Sequence, residues 1–216
     1  MRKLSQVYYV SEIFVSIQGE GSVIGEPSNF VRLAGCHLRC VWCDTKYSWF
    51  KWEGKRMSVE DITNSLDKRV RNVTITGGEP LLYDLTPLAK ALKEEGFRIV
   101  VETSGTIRPS QGLRRLVDVF SVSPKLSNSG HKIKYDFRNE DWPTYFKFVI
   151  VDANKDLDEV DQFVKEQGLD PRKVILQPNG LRGDYEAAFR ELAQAVLFKG
   201  LPYRVLPQLH RLVGLK

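Results

Sequence analysis

The sequence is poor in the residues that build most metal and redox sites. It has three cysteines and three histidines in 216 residues. An odd cysteine count argues against a disulfide framework, and a reducing compartment would keep these thiols reduced. No apolar run approaches the ~20 residues that cross a bilayer, so no membrane partner is expected. The first residues lack the apolar stretch of a secretory leader, and the expected localisation is cytoplasmic. Lysine and arginine outnumber acidic residues 32 to 27, for a net charge of +5, yet they form no long basic block. Scattered charge gives no footprint for nucleic acid; it suits a dispersed basic surface with a few arginines kept for small anions. No internal repeat or linker divides the chain, and its length suffices to bury one good core. A single domain, 1–216, is expected.

What the sequence does hold is concentrated. All three cysteines lie in Gly35-Cys36-His37-Leu38-Arg39-Cys40-Val41-Trp42-Cys43-Asp44-Thr45, at the spacing C-x3-C-x2-C. Three thiolates at this spacing suit one metal centre. A structural zinc ion closes its tetrahedron with four protein ligands, and a [4Fe-4S] cluster usually takes four cysteines. Three cysteines on a cluster leave one iron open for chemistry. Zinc held by three cysteines and a histidine remains an alternative, as do plain thiols. His37 is a strained fourth ligand because it follows Cys36 directly, and His131 and His210 lie far off in sequence.

Around this loop the chain alternates between strand and helix patterns. Residues 7–17 are rich in β-branched and aromatic side chains and read as extended. They end at Gln18-Gly19-Glu20-Gly21, where glycines mark a turn. Asn29-Phe30-Val31-Arg32-Leu33 reads as a strand running into the cysteine loop. Arg32, among apolar neighbours, needs a carboxylate, from either a structural salt bridge or a ligand. The aromatic stretch 45–52 suits a lid or a subunit contact. Ser58-Val59-Glu60-Asp61 has the form of a capping box and opens a helix to about 68. Further strands are expected at about 70–76, 97–101, 118–122, 145–151, 173–176 and 202–206, and helices at about 86–95, 110–116, 156–167 and 184–198. The polar segment 126–141 reads as a long irregular loop. Such alternation builds a parallel sheet with covering helices. The strands end in polar or glycine-rich stretches, where barrel-like folds place their chemistry. The chain is short for eight repeats, so an open, partial barrel of α/β class is expected.

The cysteine spacing together with the downstream Thr76-Gly77-Gly78-Glu79-Pro80 resembles the radical S-adenosylmethionine superfamily. Phe14-Val15-Ser16-Ile17-Gln18-Gly19-Glu20-Gly21, Phe30-Val31-Arg32-Leu33-Ala34-Gly35-Cys36 and Pro207-Gln208-Leu209-His210-Arg211-Leu212-Val213-Gly214 narrow the resemblance to the 7-carboxy-7-deazaguanine synthase family. That resemblance implies a modified, partial TIM-like barrel and a homodimer. It implies a ring-contracting lyase of queuosine and related deazapurine biosynthesis, turning 6-carboxy-5,6,7,8-tetrahydropterin into 7-carboxy-7-deazaguanine with loss of ammonia. The implied cofactors are a [4Fe-4S] cluster on Cys36, Cys40 and Cys43, S-adenosylmethionine, and Mg2+ at Thr45. S-adenosylmethionine is expected against Trp42, Cys43, Asp44, Gly78, Glu79, Ser104, Ser123, Pro124, Lys125, Gln177, Pro178, Asn179 and Gly180. The pterin is expected against Ile17, Gln18, Gly19, Glu20, Arg32, Thr76 and His210. An external one-electron donor, flavodoxin- or ferredoxin-like, is the expected partner. The resemblance gives Trp49, Phe50 and Trp52 no role. A glycyl-radical activase of the same superfamily and a zinc-binding module without enzymatic activity are the alternatives.

Overall fold

A computed structural model describes residues 6–181 and 183–215 of the chain. Among these residues nine strands form one sheet, in the order β3-β1-β2-β4-β5-β6-β7-β8-β9. They are β1 (Val7–Ile17), β2 (Pro27–Leu33), β3 (Lys55–Ser58), β4 (Asn72–Gly77), β5 (Arg98–Thr103), β6 (Val119–Val122), β7 (Tyr145–Ile150), β8 (Val174–Pro178) and β9 (Arg204–Val205). Strand β1 runs antiparallel to both β2 and β3. From β2 through β9 every neighbouring pair is parallel. The sheet is open, and the α/β class agrees with the expectation.

The parallel strands are runs of β-branched and aromatic residues because helices or loops cover both faces. Val73 and Ile75 of β4, Ile99 and Val101 of β5 and Val174 and Leu176 of β8 are fully buried. Six helices accompany them: α1 (Val59–Asn64), α2 (Thr86–Glu94), α3 (Gln111–Arg114), α4 (Ala153–Gln167), α5 (Tyr185–Lys199) and α6 (Leu209–Leu212). Leu88, Ala89 and Leu92 of α2 and Leu157, Val160 and Val164 of α4 face the core. The Ser58 hydroxyl accepts from the Asp61 N–H while the Asp61 carboxylate accepts from the Ser58 N–H, the reciprocal cap that the sequence announces.

The differences from expectation have local causes. Strand β3 was not expected; its polar sequence is satisfied by edge pairing to Val7–Val10. Helix α1 ends at Asn64 rather than near 68. Helix α4 starts at Ala153 rather than 156 because the Asp152 carboxylate caps the N–H groups of Asn154 and Lys155. The expected irregular segment 126–141 holds a short 3-10 helix, Ser127–Ser129, and a turn closed by the Glu140 N–H on Phe137 O at 3.0 Å. It is pinned by Phe137, buried in the core next to Trp142. Helix α6 was not expected.

Parallel strands all deliver their carboxyl ends to one edge. Cys36, Gly77-Gly78, Ser104, Ser123 and Gln177-Pro178-Asn179-Gly180 follow five different strands to that edge.

Candidate active site

A cleft with ≈ 1330 Å³ of empty space, mouth included, opens along this edge. Every residue expected at a ligand lines it except Glu79 and Pro124. Ile17, Gln18, Gly19, Glu20, Arg32, Thr76 and His210 share its walls with Cys36, Cys40, Cys43 and Thr45.

The cysteine loop is held by main chain. The N–H groups of Gly35 and Cys36 donate to the carbonyls of Ser48 (2.8 Å) and Trp49 (2.9 Å). The Gly-Gly-Glu turn locks to it from the other side: the Gly78 N–H donates to Leu33 O and the Glu79 N–H to Gly35 O, both at 2.9 Å. This approach requires glycine. A Cβ on Gly78 would lie 2.3 Å from Gly35 O, and one on Gly77, whose φ is +135°, would lie 2.1 Å from Leu33 O.

Glu79 works behind this wall. Its carboxylate is buried and accepts from Thr103 Oγ1 (2.6 Å), the Ser104 N–H (2.8 Å), Ser104 Oγ (2.5 Å) and the Leu81 N–H (3.1 Å). It therefore braces the turn after β4 against the end of β5 and does not face the cleft. From Ser104 the chain of contacts runs through Thr106 to His37 Nε2, 2.9 Å from the Thr106 hydroxyl.

The three cysteines are free. Burial raises the thiols of Cys36 and Cys40. Among the described residues no three His, Cys, Asp or Glu side chains gather closely enough to hold one ion. His37 is turned to Thr106, and His131 Nε2 accepts from the Arg39 N–H at 3.0 Å. Two of the histidines that could complete a zinc site are thus engaged elsewhere. Three thiols lining one cleft fit a group held at three corners. The Lys125 ammonium stands 5.3 Å from the Trp42 ring centroid and donates to Ser123 O and Oγ, both at 2.8 Å. Burial lowers its pKa, although Cys40 opposes the shift. The amide oxygens of Gln177 and Gln208 are buried here without a hydrogen-bond partner among the described residues, which leaves two acceptors for ligand donors.

The other end of the cleft is a side-chain network. Gln18 Nε2 donates to Glu102 Oε1 (3.0 Å), and Thr76 Oγ1 donates to Glu102 Oε2 (2.8 Å). The Glu20 N–H donates to Gln18 Oε1 (3.1 Å). Glu20 is ion-paired with Lys147 and accepts from Gln208 Nε2 at 2.5 Å. Burial alone would raise the Glu20 carboxyl, but the Lys147 ammonium and these hydrogen bonds outweigh it and hold the group at about 2. Helix α6 docks on the N-terminal turn: the Leu209 N–H donates to Gly19 O (2.8 Å), and a Cβ on Gly19 would lie 1.9 Å from His210 Nδ1. Burial lowers the His210 pKa. Arg32 lines the cleft, but its Nε donates to Glu12 Oε1 at 2.8 Å. The structural salt bridge that the sequence left open is therefore present.

Glu102, Lys147 and Gln208 were missed as site residues. Lys147 left a signal, a lone cation within the otherwise apolar strand Tyr145–Ile150. The unassigned aromatics brace the cysteine loop: the Arg39 guanidinium lies 5.1 Å from the Trp49 ring and 4.7 Å from that of Phe50, which stacks on Trp52 at 4.4 Å.

The family model "Radical SAM superfamily" matches residues 30–196. A three-cysteine loop on the carboxyl edge of an open α/β sheet, braced by a Gly-Gly-Glu turn, is the arrangement of that class, and the chain belongs to it. Its [4Fe-4S] cluster and S-adenosylmethionine are accordingly the cofactors of this chain. Curated relatives narrow the match. The 7-carboxy-7-deazaguanine synthase of Pyrobaculum aerophilum is 43% identical over 93% of this chain and 92% of its own length. That of Rhodopirellula baltica is 35% identical over 90% and 82%. The crystal structure of QueE from Escherichia coli superposes with a TM-score of 0.73 at 28% identity, covering 94% of this chain and 95% of that one. Within the superfamily the chain belongs to the 7-carboxy-7-deazaguanine synthase family, rather than to the activases or to a zinc module.

Proposed function

We propose that the protein converts 6-carboxy-5,6,7,8-tetrahydropterin to 7-carboxy-7-deazaguanine with loss of ammonia. One observation carries this reading: a single cleft joins the cysteine loop to a polar pocket built from both ends of the chain, with Glu20 bonded to Gln208. A protein that only generated a radical for a macromolecular partner would not need this second, enclosed end.

Cys36, Cys40 and Cys43 would hold the cluster, which when bound with S-adenosylmethionine supplies the radical that opens the reaction. The chain's own residues bind, orient and exclude water. The Gly78 main chain offers an approach without a side chain. Trp42 and Lys125 wall the nucleoside side, and Gln177 offers its unpartnered oxygen to a donor. Glu20 presents a carboxylate, and Gln18 a polar edge, to the donor-rich face of the pterin. Arg32, with Nε held by Glu12, offers the rest of its fork to the pterin carboxylate. His210 closes the pocket, where burial disfavours its charged form. Thr45 lies beside Cys43, with the hydroxyl 3.6 Å from Sγ; as an Mg2+ ligand it would leave most of the shell to substrate oxygens and water. A flavodoxin- or ferredoxin-like protein would supply one electron. A homodimer and a cytoplasmic location complete the reading; among the described residues no helix is long and apolar enough to cross a membrane.

Anaerobic incubation with the pterin, S-adenosylmethionine, Mg2+ and a one-electron reductant tests it. The expected result is 7-carboxy-7-deazaguanine by mass, with one ammonia per turnover. Cleavage of S-adenosylmethionine without a deazapurine would overturn it.

A further inference from the structure

The pterin end of the cleft contains a cation that the reading above gives no role. Lys147 projects from the middle of β7, between Phe146 and Phe148, and its side chain is 12% exposed, against 15% for Glu20. A lysine this enclosed persists only when paired. Two carboxylates are within its field, Glu20 by direct contact and Glu102 from β5. One ammonium therefore faces two carboxylates.

Glu20 itself is clamped from two elements. Lys147 takes Oε2 and Gln208, from the segment before α6, takes Oε1. The charged and titratable groups that face the pair are Lys125 after β6, Tyr145 on β7, Glu102 on β5, Tyr185 on α5 and His210 on α6. None besides Lys147 is a cation in contact with Glu20. Without it, burial of the Glu20 carboxyl would favour the protonated form, which turns from acceptor to donor.

We infer that Lys147 is a positioning residue that keeps Glu20 an ionised acceptor, and so selects ligands with a donor-rich, amidine-like edge over those presenting acceptors there. Its action is through Glu20 and not through the reacting atoms. The ligand class rests on the synthase reading, whereas the state of Glu20 can be read on the ligand-free chain.

The test compares wild type, Lys147→Met and Lys147→Arg in the full chain. The Glu20 carboxyl is followed by carbon-13 NMR, assigned through Glu20→Gln, and pterin affinity is measured by calorimetry on the anaerobic, S-adenosylmethionine-loaded protein. In the wild type and in Lys147→Arg, Glu20 stays ionised through mildly acidic pH. In Lys147→Met its titration moves up to or above the ordinary carboxyl range, and the pterin Kd rises about ten- to hundredfold, more so at acidic than at neutral pH. His210 titrates in all three, so the difference between variants isolates Lys147. If Lys147→Met does not fold, Lys147→Gln makes the same comparison with a polar, uncharged side chain. An unmoved Glu20 titration, or a Kd within about twofold of wild type, overturns the inference. Absence of pterin binding by the wild type overturns the synthase reading instead, and the NMR titration still decides the role of Lys147.

Discussion

The two ends of the cleft are built by different means. At the cofactor end, neighbouring main-chain segments lock together. The Gly-Gly-Glu turn follows β4, the cysteine loop follows β2, and their contacts are N–H to carbonyl bonds made close by glycine. At the pterin end the holding groups are side chains far apart in sequence, and two of the central ones are a largely enclosed ion pair. Main-chain bracing of this kind is independent of pH and intolerant of a single added carbon. Side-chain bracing tolerates small changes in shape but depends on every partner keeping its charge.

The largest effect should come from breaking the cofactor end alone. Cys40→Ala removes one of three anchors; iron should fall from ~4 per chain to a small fraction, with turnover at background, while the pterin-end contacts remain. Iron retained in full in this variant would erase the distinction. Next is Gly77→Ala. Its Cβ would press on Leu33 main chain at a φ of +135°, and the expected cost is roughly 3 kcal/mol, a fall in Tm of about 6–12 °C. Calorimetric melting checks it.

Smaller, and confined to the other end, is Gly19→Ala. The added carbon meets the His210 ring, which can shift with α6. The KM for the pterin should rise about tenfold with iron content and Tm nearly unchanged. Loss of iron would show that the two ends are not separable. Acid should also act on this end first. Burial keeps the His210 pKa below its ordinary 6.5, so its contribution is present above that value and declines as the pH falls through and below it. Glu20, held at about 2, contributes above its ordinary 4.5 and is lost only as the pH falls towards 2. A pterin KM that rises as the pH falls below 6.5, while the cluster spectrum stays constant, is the expected pattern. The smallest effect is that of Trp52→Ala: a side chain 76% exposed that stacks only on Phe50 among the described rings should change stability by under ~0.5 kcal/mol.

The contrast also explains what was legible in the sequence. The cysteine spacing and Gly77-Gly78 are short-range statements, and they identify the cofactor end directly. The helix cap at Ser58 and the apolar strands are likewise local. Strand β3 escaped because Lys55-Arg56 is polar, and edge pairing needs no apolar face. Glu79 could be recognised as part of a motif, but its direction could not: only the folded chain places Thr103 and Ser104 around it. Glu102 and Gln208 were beyond reach for the same reason, and Lys147 showed only as a lone cation in an apolar strand, without its partner. Their roles exist through partners that are 26 to 188 positions away in sequence, and no local pattern encodes that proximity.

The central claim is that the three thiols of Cys36, Cys40 and Cys43 leave one iron open toward the cleft. Electron paramagnetic resonance of the anaerobic, reduced protein with and without S-adenosylmethionine tests it most directly. A [4Fe-4S] signal whose g-values change when S-adenosylmethionine is added is the predicted result. A signal that S-adenosylmethionine leaves unaltered, or a protein that carries stoichiometric zinc in place of iron and sulfide, would contradict it.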